Sequence, residues 1–356
     1  MSNANTNVDS IIPPQRRLTS HPKPPIALRP LHRIWRQTID GLEIVPVTLP
    51  VRNLPPACEG LITCQISDFH VDRDEDLRRL EHAVEVINLQ QPELVFLTGD
   101  YFSGPETMRR YLDGFRRALA QLRPAHGVFA VAGNHDHWSS FGMIKEALLA
   151  AGVNVLANQN HRVAFNGAEL VIVGIDDLWS RRAEPSRAFR GVQPGDCAIV
   201  LAHNPDTALY ARPLGPGVML SGHTHGGVVR IPYYGSPIKS ILRIGKRFYA
   251  GLNRYGEFYI YTNRGLGTFW LRIRINCRPE ISRFVLTRLE DAEVVRARGR
   301  GTAAMARKAK FNACLASLRA FKRDEIRRLR GLGRTAPDEL SGREFPAIPQ
   351  FADPGD

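Results

Sequence analysis

No stretch of this 356-residue chain reaches the roughly 18 to 20 apolar residues that a membrane-spanning helix needs. Contact with a bilayer, if it occurs, is expected at the surface only. Cysteine is scarce: the five residues Cys58, Cys64, Cys197, Cys277 and Cys314 stand apart, with no CxxC pair. That density excludes a disulfide scaffold and fits reduced thiols of the cytosol. An Arg16-Arg17 pair near the start is followed by no apolar run of the kind an export signal carries. Internal repeats are also missing. The expected location is the cytoplasm, with peripheral attachment at the inner face of the membrane as the one form of membrane contact.

Acidic residues are in the minority. Against 48 Lys and Arg there are 35 Asp and Glu, a formal net charge of +13. Such a balance favours an anionic partner: nucleic acid, a phospholipid surface or a phosphorylated metabolite. The 43% hydrophobic content is enough for a sizeable core. Residues 1–40, rich in Pro, Asn and Arg without periodicity, are expected to form a flexible arm or a strap, and 41–290 the folded domain. Residues 291–334 read as a basic amphipathic helix, with Phe311, Leu315 and Leu318 near helical spacing, and 335–356 as disordered.

Within the domain, LEIVPVTLPV and LITCQIS read as strands, about 74–89 as a helix and LVFLTG as a wholly apolar strand. A helix over about 106–122 then leads to the run GVFAVAG. Strands and helices alternating in this way predict βαβ units around a buried sheet. After a helix near 141–151 the spacing tightens to VNVLA, HRVAF, ELVIVGI, CAIVLA, GVMLSG, VVRIP, EFYIYT and ISRFVLT, a strand-dominated half. Polar, turn-forming residues follow LITCQIS, LVFLTG, GVFAVAG, CAIVLA and GVMLSG. The C-terminal ends of these strands are therefore expected together, where α/β sheets place their ligands.

Short signatures sit at those ends, in order: Asp68-Phe69-His70, Gly99-Asp100, Gly133-Asn134-His135-Asp136, Ala202-His203-Asn204 and Gly222-His223-Thr224-His225. A side chain leaving a strand end is held at a rigid edge yet open to substrate, as a catalytic metal ligand must be. Any one signature alone is commonplace. The ordered set resembles the calcineurin-like metallophosphoesterase family, from about Ile62 to Gly226. His203-Asn204-Pro205-Asp206, Asn263-Arg264-Gly265-Leu266-Gly267 and Arg278-Pro279-Glu280-Ile281 further resemble its bacterial branch that hydrolyses phosphodiesters, including lipid-linked ones.

This resemblance implies a four-layer αββα sandwich, two mixed β-sheets flanked by helices. It implies two divalent transition-metal ions, one held by Asp68, His70 and His225, the other by Asn134, His203 and His223, with Asp100 bridging. A shared carboxylate screens two neighbouring cations, and a hydroxide trapped between them becomes a nucleophile near neutral pH. Oxygen and imidazole donors without cysteine fit Mn, Fe or Zn. His135 is the candidate to protonate the leaving oxygen, and Asp136 is expected to orient a neighbouring histidine. Gly222, Gly226 and Gly227 would allow tight bends around the ligands.

His82, His126 and His161 are expected at the surface, and His137 and Trp138 beside the site. The segment from Lys239 to Arg254, with Arg243, Lys246, Arg247, Phe248 and Tyr249, reads either as a clasp for a phosphate or lipid headgroup or as a solvated cationic hairpin. The expected partner is a phosphorylated small molecule or lipid, UDP-2,3-diacylglucosamine being one specific form. The tail would touch an anionic membrane, pack on the domain or contact nucleic acid. Two other readings compete: a non-catalytic scaffold, which would have lost ligands, and a nucleic-acid-binding protein, whose salt-sensitive binding would survive removal of the metals.

Overall fold

The computed structural model describes residues 34–36, 41–215, 217–231, 236, 242–268 and 273–289. The expected basic tail, the disordered end, most of the arm and Lys239 lie outside the described residues. In chain order the elements are β1 (Ile34–Arg36), β2 (Glu43–Val51), β3 (Ile62–Ile66), α1 (Asp74–Leu89), β4 (Leu94–Leu97), α2 (Pro105–Leu119), β5 (Val128–Ala130), α3 (Asn134–Ser139) and α4 (Phe141–Ala150). They continue with β6 (Val153–Val155), β7 (Gln159–Phe165), β8 (Ala168–Gly174), α5 (Pro185–Ala188), β9 (Ala198–Leu201), α6 (Ala208–Ala211), β10 (Val218–Ser221), β11 (Gly251–Tyr255), β12 (Phe258–Thr262), β13 (Ile273–Ile275) and β14 (Glu280–Arg288).

Two six-stranded sheets, ordered β2-β14-β3-β4-β5-β6 and β11-β12-β10-β9-β8-β7, form the frame. Both are mixed. Strands β3 to β6 run parallel, as do β8, β9, β10 and β12, while β14 is antiparallel to β3, β7 to β8 and β11 to β12.

The apolar runs sort their residues by period two. In β4, Val95 and Leu97 face α1, α2 and α4, whereas Leu94 and Phe96 face the other sheet. In β9, Ile199 and Leu201 join that inter-sheet core, and Ala198 and Val200 pack outward against Phe189, Ala208 and Phe248. The result is the expected four-layer αββα sandwich. Its outer layers are unequal, because the second sheet is covered by the four-residue helices α5 and α6 and by 3-10 turns.

Helix α1 begins with Asp74, Glu75 and Asp76 in its first turn, where carboxylates complement the helix dipole, and buries Leu80, Ala83, Val84 and Ile87. Two segments depart from expectation. Residues 228–231, the described part of VVRIP, form no strand: Val229 makes an isolated bridge to Ile275, and Val228 sits at φ 54°, outside the strand region. Ile34–Arg36, inside the expected arm, pairs antiparallel with β13.

Register brings the site together. Ile66 pairs with Leu97 and Leu97 with Ala130, so β3, β4 and β5 end level; Leu201 and Leu220 pair likewise in the second sheet.

Candidate metal centre

Asp68, His70, Asp100 and Asn134 leave the ends of β3, β4 and β5, and His203, His223 and His225 leave β9 and β10. All seven side chains are buried. They gather into two groups, Asp68, His70 and His225 in one and Asp100, His203 and His223 in the other; within each, the donor atoms lie within 4.8 Å of one another. Asp100 faces both groups, its Oδ2 standing 3.0 Å from His203 Nε2 and 3.8 Å from His70 Nε2. The Asn134 Oδ1 joins the second group, 3.0 Å from His223 Nδ1.

The backbone is bent to aim these donors. Asp68, His70, Asp100, His223 and His225 have φ of 48°, 43°, 56°, 70° and 50°. Left-handed non-glycine residues cost energy, and a run of them at one place marks a functional site. Loop hydrogen bonds hold the bends: Asp68 N donates to Gly99 O at 2.9 Å, and Gly267 N to Asp68 O at 2.7 Å. Gly133 and Gly222 allow the loops to touch. A Cβ on Gly133 would fall 2.2 Å from Asp100 Oδ1, and one on Gly222 would fall 2.3 Å from Asp68 Oδ2.

Oxygen acceptors outside the groups fix the imidazoles. His203 Nδ1 lies 2.6 Å from Thr98 O, His225 Nδ1 lies 3.2 Å from Gly267 O, and His70 Nδ1 lies 2.8 Å from Ser103 Oγ. The Ser103 hydroxyl in turn donates to Asp72 Oδ2 at 2.5 Å. With each Nδ1 engaged, the Nε2 atoms of these rings face the carboxylates.

Burial drives His70 and His223 down to about 3 and His225 well below the usual histidine range, so these rings are neutral. His203 is the exception: burial lowers it, but the Asp100 carboxylate outweighs burial and raises it to about 10. Burial likewise acts to raise Asp100, yet the His203 and His135 imidazoles hold it well below the usual carboxylate range. Asp68, with less cationic company, is pushed by burial to about 7. Such a set is short of positive charge. Among the described residues no lysine or arginine forms an ion pair with Asp68 or Asp100.

His135 lies beside the first group, its ring 5.0 Å from that of His70 and its Nδ1 3.2 Å from Ser103 O. Asp136 does not orient a histidine. Its carboxylate accepts from the backbone N–H of Asp100, Tyr101 and Gly133 at 2.8, 2.8 and 2.7 Å, locking the loop of the shared carboxylate to the start of α3. His137 is beside the site as expected and pairs with Asp176, Nε2 to Oδ1 2.7 Å. His82 and His126 face Glu85 and Glu93 near the surface.

Comparison with known proteins agrees with this geometry. Residues 63–227 match the family described as calcineurin-like phosphoesterase. Phosphodiesterase YaeI of Escherichia coli is 36% identical over 220 residues, 61% of this chain and 78% of the relative. The chain belongs to the calcineurin-like phosphoesterase family. The uncharacterized metallophosphoesterase YkuE of Bacillus subtilis is 30% identical over 248 residues, covering 69% of this chain and 85% of its own. UDP-2,3-diacylglucosamine pyrophosphatase LpxG of Chlamydia trachomatis is 26% identical, covering 70% and 91%. As a calcineurin-like phosphoesterase the chain is a hydrolase of the metallophosphoesterase class, a class that uses divalent metals.

Membership gives the later motifs a place. Asn263 holds Ser282 Oγ at 2.8 Å and accepts from Gly265 N at 2.6 Å, and Leu266 N donates to Ser67 O at 2.9 Å. The Arg264 guanidinium pairs with Glu280 and Glu43, and Asp206 accepts from Arg243 N and Ile244 N at 2.9 and 2.8 Å. These motifs buttress the ligand loops. Phe248 and Tyr249 are buried in the outer core, so the aromatic part of the expected headgroup clasp is unavailable to a ligand. Three functional-site residues escaped the sequence. Ser103 carries no motif, Trp179 lies with its ring 4.3 Å from that of His223, and Arg274 is a fully buried arginine donating to the carbonyls of Gly265, Gly267 and Cys277. Among the described residues no helix is long and apolar enough to cross a membrane.

Proposed function

We propose that the chain hydrolyses a phosphodiester or pyrophosphate bond, with a phosphomonoester as the lesser form of the same chemistry, using two divalent transition-metal ions. Asp68, His70 and His225 would hold one, Asn134, His203 and His223 the other, and Asp100 would serve both. The observation that carries this reading is the position of the Asp100 carboxylate between one histidine of each group. The donors suit Mn, Fe or Zn: imidazoles, most of them held neutral by burial, and buried carboxylates with no lysine or arginine ion pair among the described residues. When bound, such ions supply Lewis acidity toward phosphoryl oxygens and a hydroxide nucleophile near neutral pH.

The protein's own groups do the rest. Asp100 neutralises the cluster and fixes its spacing. Its Oδ1 accepts from His135 N at 2.9 Å, so the same carboxylate positions the general acid. With Nδ1–H on the Ser103 carbonyl, His135 would donate to the leaving oxygen from Nε2 when that nitrogen also carries a proton. Ser103, Thr98 and Gly267 keep the ligand imidazoles from turning. The likeness to phosphodiesterase YaeI supports a diester, and that to UDP-2,3-diacylglucosamine pyrophosphatase LpxG a lipid- or nucleotide-linked substrate such as UDP-2,3-diacylglucosamine.

Metal analysis of the purified protein, followed by turnover of aryl mono- and diesters, cyclic nucleotides, phospholipids and UDP-2,3-diacylglucosamine, tests the reading. Asp100→Asn is expected to lose both metal and turnover. Protein purified without transition metal, or an Asp100→Asn variant as active as wild type, refutes it. Binding to nucleic acid that persists after chelation would favour the competing reading.

A further inference from the structure

Two exposed tryptophans edge the metal centre, one at each end. Trp138 on α3 is 53% exposed and meets the ring of His135 at 4.8 Å; Trp179, in the segment after β8, is 36% exposed and meets His223 at 4.3 Å. Rings of this size are mostly buried on average, and exposed apolar groups gathered at one place mark an interaction surface. Their neighbours share the character. Met143 on α4 is 42% exposed. Arg181 and Arg182, just beyond Trp179, are exposed, and neither has a carboxylate partner among the described residues.

The two tryptophan segments are joined. The bond from His137 to Asp176, 2.7 Å, ties α3, which follows the first sheet's β5, to the loop that follows the second sheet's β8. Trp138 is the next residue after His137, and Trp179 lies three beyond Asp176, so one ion pair links the two segments that carry the rings.

We propose that this rim seats the protein on an anionic bilayer, with Trp138, Met143 and Trp179 at headgroup level and Arg181 and Arg182 against lipid phosphates. Indoles favour that depth because one end is apolar and the other wet, and arginines near an anionic surface are held by its potential. The metal centre then opens toward the membrane, and a substrate with its acyl chains in the bilayer reaches it by a short lift. The surface is separate from the basic tail and goes beyond the catalytic reading, since it concerns where the protein binds and not which bond it cleaves. Arg181 and Arg182 follow Trp179 closely in the chain, and Met143 follows Trp138 by five residues.

Full-length protein is mixed with phosphatidylglycerol-rich vesicles carrying brominated acyl chains, and with phosphatidylcholine vesicles as the uncharged control. Emission from the rim is the difference between wild type and the Trp138→Phe/Trp179→Phe double variant. Expected on binding are a blue shift and bromine quenching of that difference emission, with anionic vesicles only. Arg181→Gln/Arg182→Gln should bind these vesicles about 30-fold more weakly, taking ~1 kcal/mol per arginine, while its turnover of a water-soluble aryl diester stays at the wild-type level. Vesicle-bound protein whose rim emission does not move overturns the proposal, as does unchanged affinity of the arginine variant or no vesicle binding at all. Quenching by uridine monophosphate but not by lipid also overturns it and assigns the indoles to a planar ring of the substrate. No turnover enters the vesicle measurement, so the proposal stands or falls apart from the catalytic reading.

Discussion

A methyl group at position 222 should empty half of the metal centre. Gly222 opens the loop that carries His223 and His225, and a Cβ there falls 2.0 Å from Ser67 Oγ and 2.3 Å from Asp68 Oδ2. Carbon and oxygen need about 3.3 Å, so the Asp68 carboxylate must retreat by on the order of 1 Å. That retreat breaks the bonds it accepts from His223 N at 2.9 and 3.1 Å, and takes Oδ1 away from His225 Nε2, now 3.4 Å distant. Overpacking of this kind costs about 1–3 kcal/mol, a fall in Tm of roughly 3–10 °C for a domain of this size. Misplacing a ligand by such a distance costs about 100-fold in turnover. Gly222→Ala is therefore expected to bind one ion firmly, to melt lower and to turn over aryl diesters about 100-fold more slowly, as read by elemental analysis, calorimetry and kinetics. Adding Ser67→Ala removes the nearer clash and should restore part of the Tm but not the missing ion. A Gly222→Ala protein with two ions and wild-type turnover would refute the reasoning.

Further outcomes are expected elsewhere. Ser103→Ala removes the acceptor of His70 Nδ1 and should weaken metal affinity about 10- to 100-fold in a chelator competition with little change in the Tm of the metal-free protein; unaltered affinity would show that the hydroxyl does not hold the ring. Arg274→Met leaves the carbonyl of Cys277, bonded at 3.3 Å, without its donor and that of Gly265 with Glu280 N alone, and should destabilise the domain by about 1–3 kcal/mol in urea; a neutral result would refute that accounting. At His137, burial lowers the pKa but the Asp176 carboxylate outweighs it, so the folded value is raised. A raised folded pKa means that the pair's contribution to stability is complete below the unfolded value, about 6.5, and is lost as pH rises through the folded one. The Tm difference between wild type and His137→Gln should accordingly shrink from pH 6 to pH 9, and a difference that grows would contradict the assignment.

The residues that gather into the two donor groups were legible because each follows an apolar strand that could only be central. Helix α1 was legible for a similar reason: its carboxylates and its apolar spacing agree on both ends. Asp136 was misread because its partners are backbone amides, which every residue offers and no sequence displays. The same holds for the Thr98 and Gly267 carbonyls that fix His203 and His225. Arg274 drew no reading from the sequence; it is buried where the carbonyls of Gly265, Gly267 and Cys277 converge, which local pattern cannot foresee. VVRIP reads as a strand by residue type, but the backbone turns at Gly226, Gly227 and Val228 to carry His225, and the site overrides the propensity. Edge strand β11, Gly-Leu-Asn-Arg-Tyr, was missed because one polar edge strand has little period to detect.

Each group of donors draws on both sheets: Asp68 and His70 meet His225, and Asp100 and Asn134 meet His203 and His223. A cation in either group would thus be a rivet through the sandwich, fastening layers that otherwise adhere by apolar contact and by a few cross-sheet hydrogen bonds such as Gln65 Nε2 to Ser221 O at 3.0 Å. Metal binding and folding become one equilibrium, and an ion present at about 1,000 times its Kd adds ~4 kcal/mol to the cohesion of the whole domain. Chelation should then loosen amide exchange in β9 and β10 as much as in β3 and β4. Neither half of the sandwich, cut out by itself, would keep a usable site.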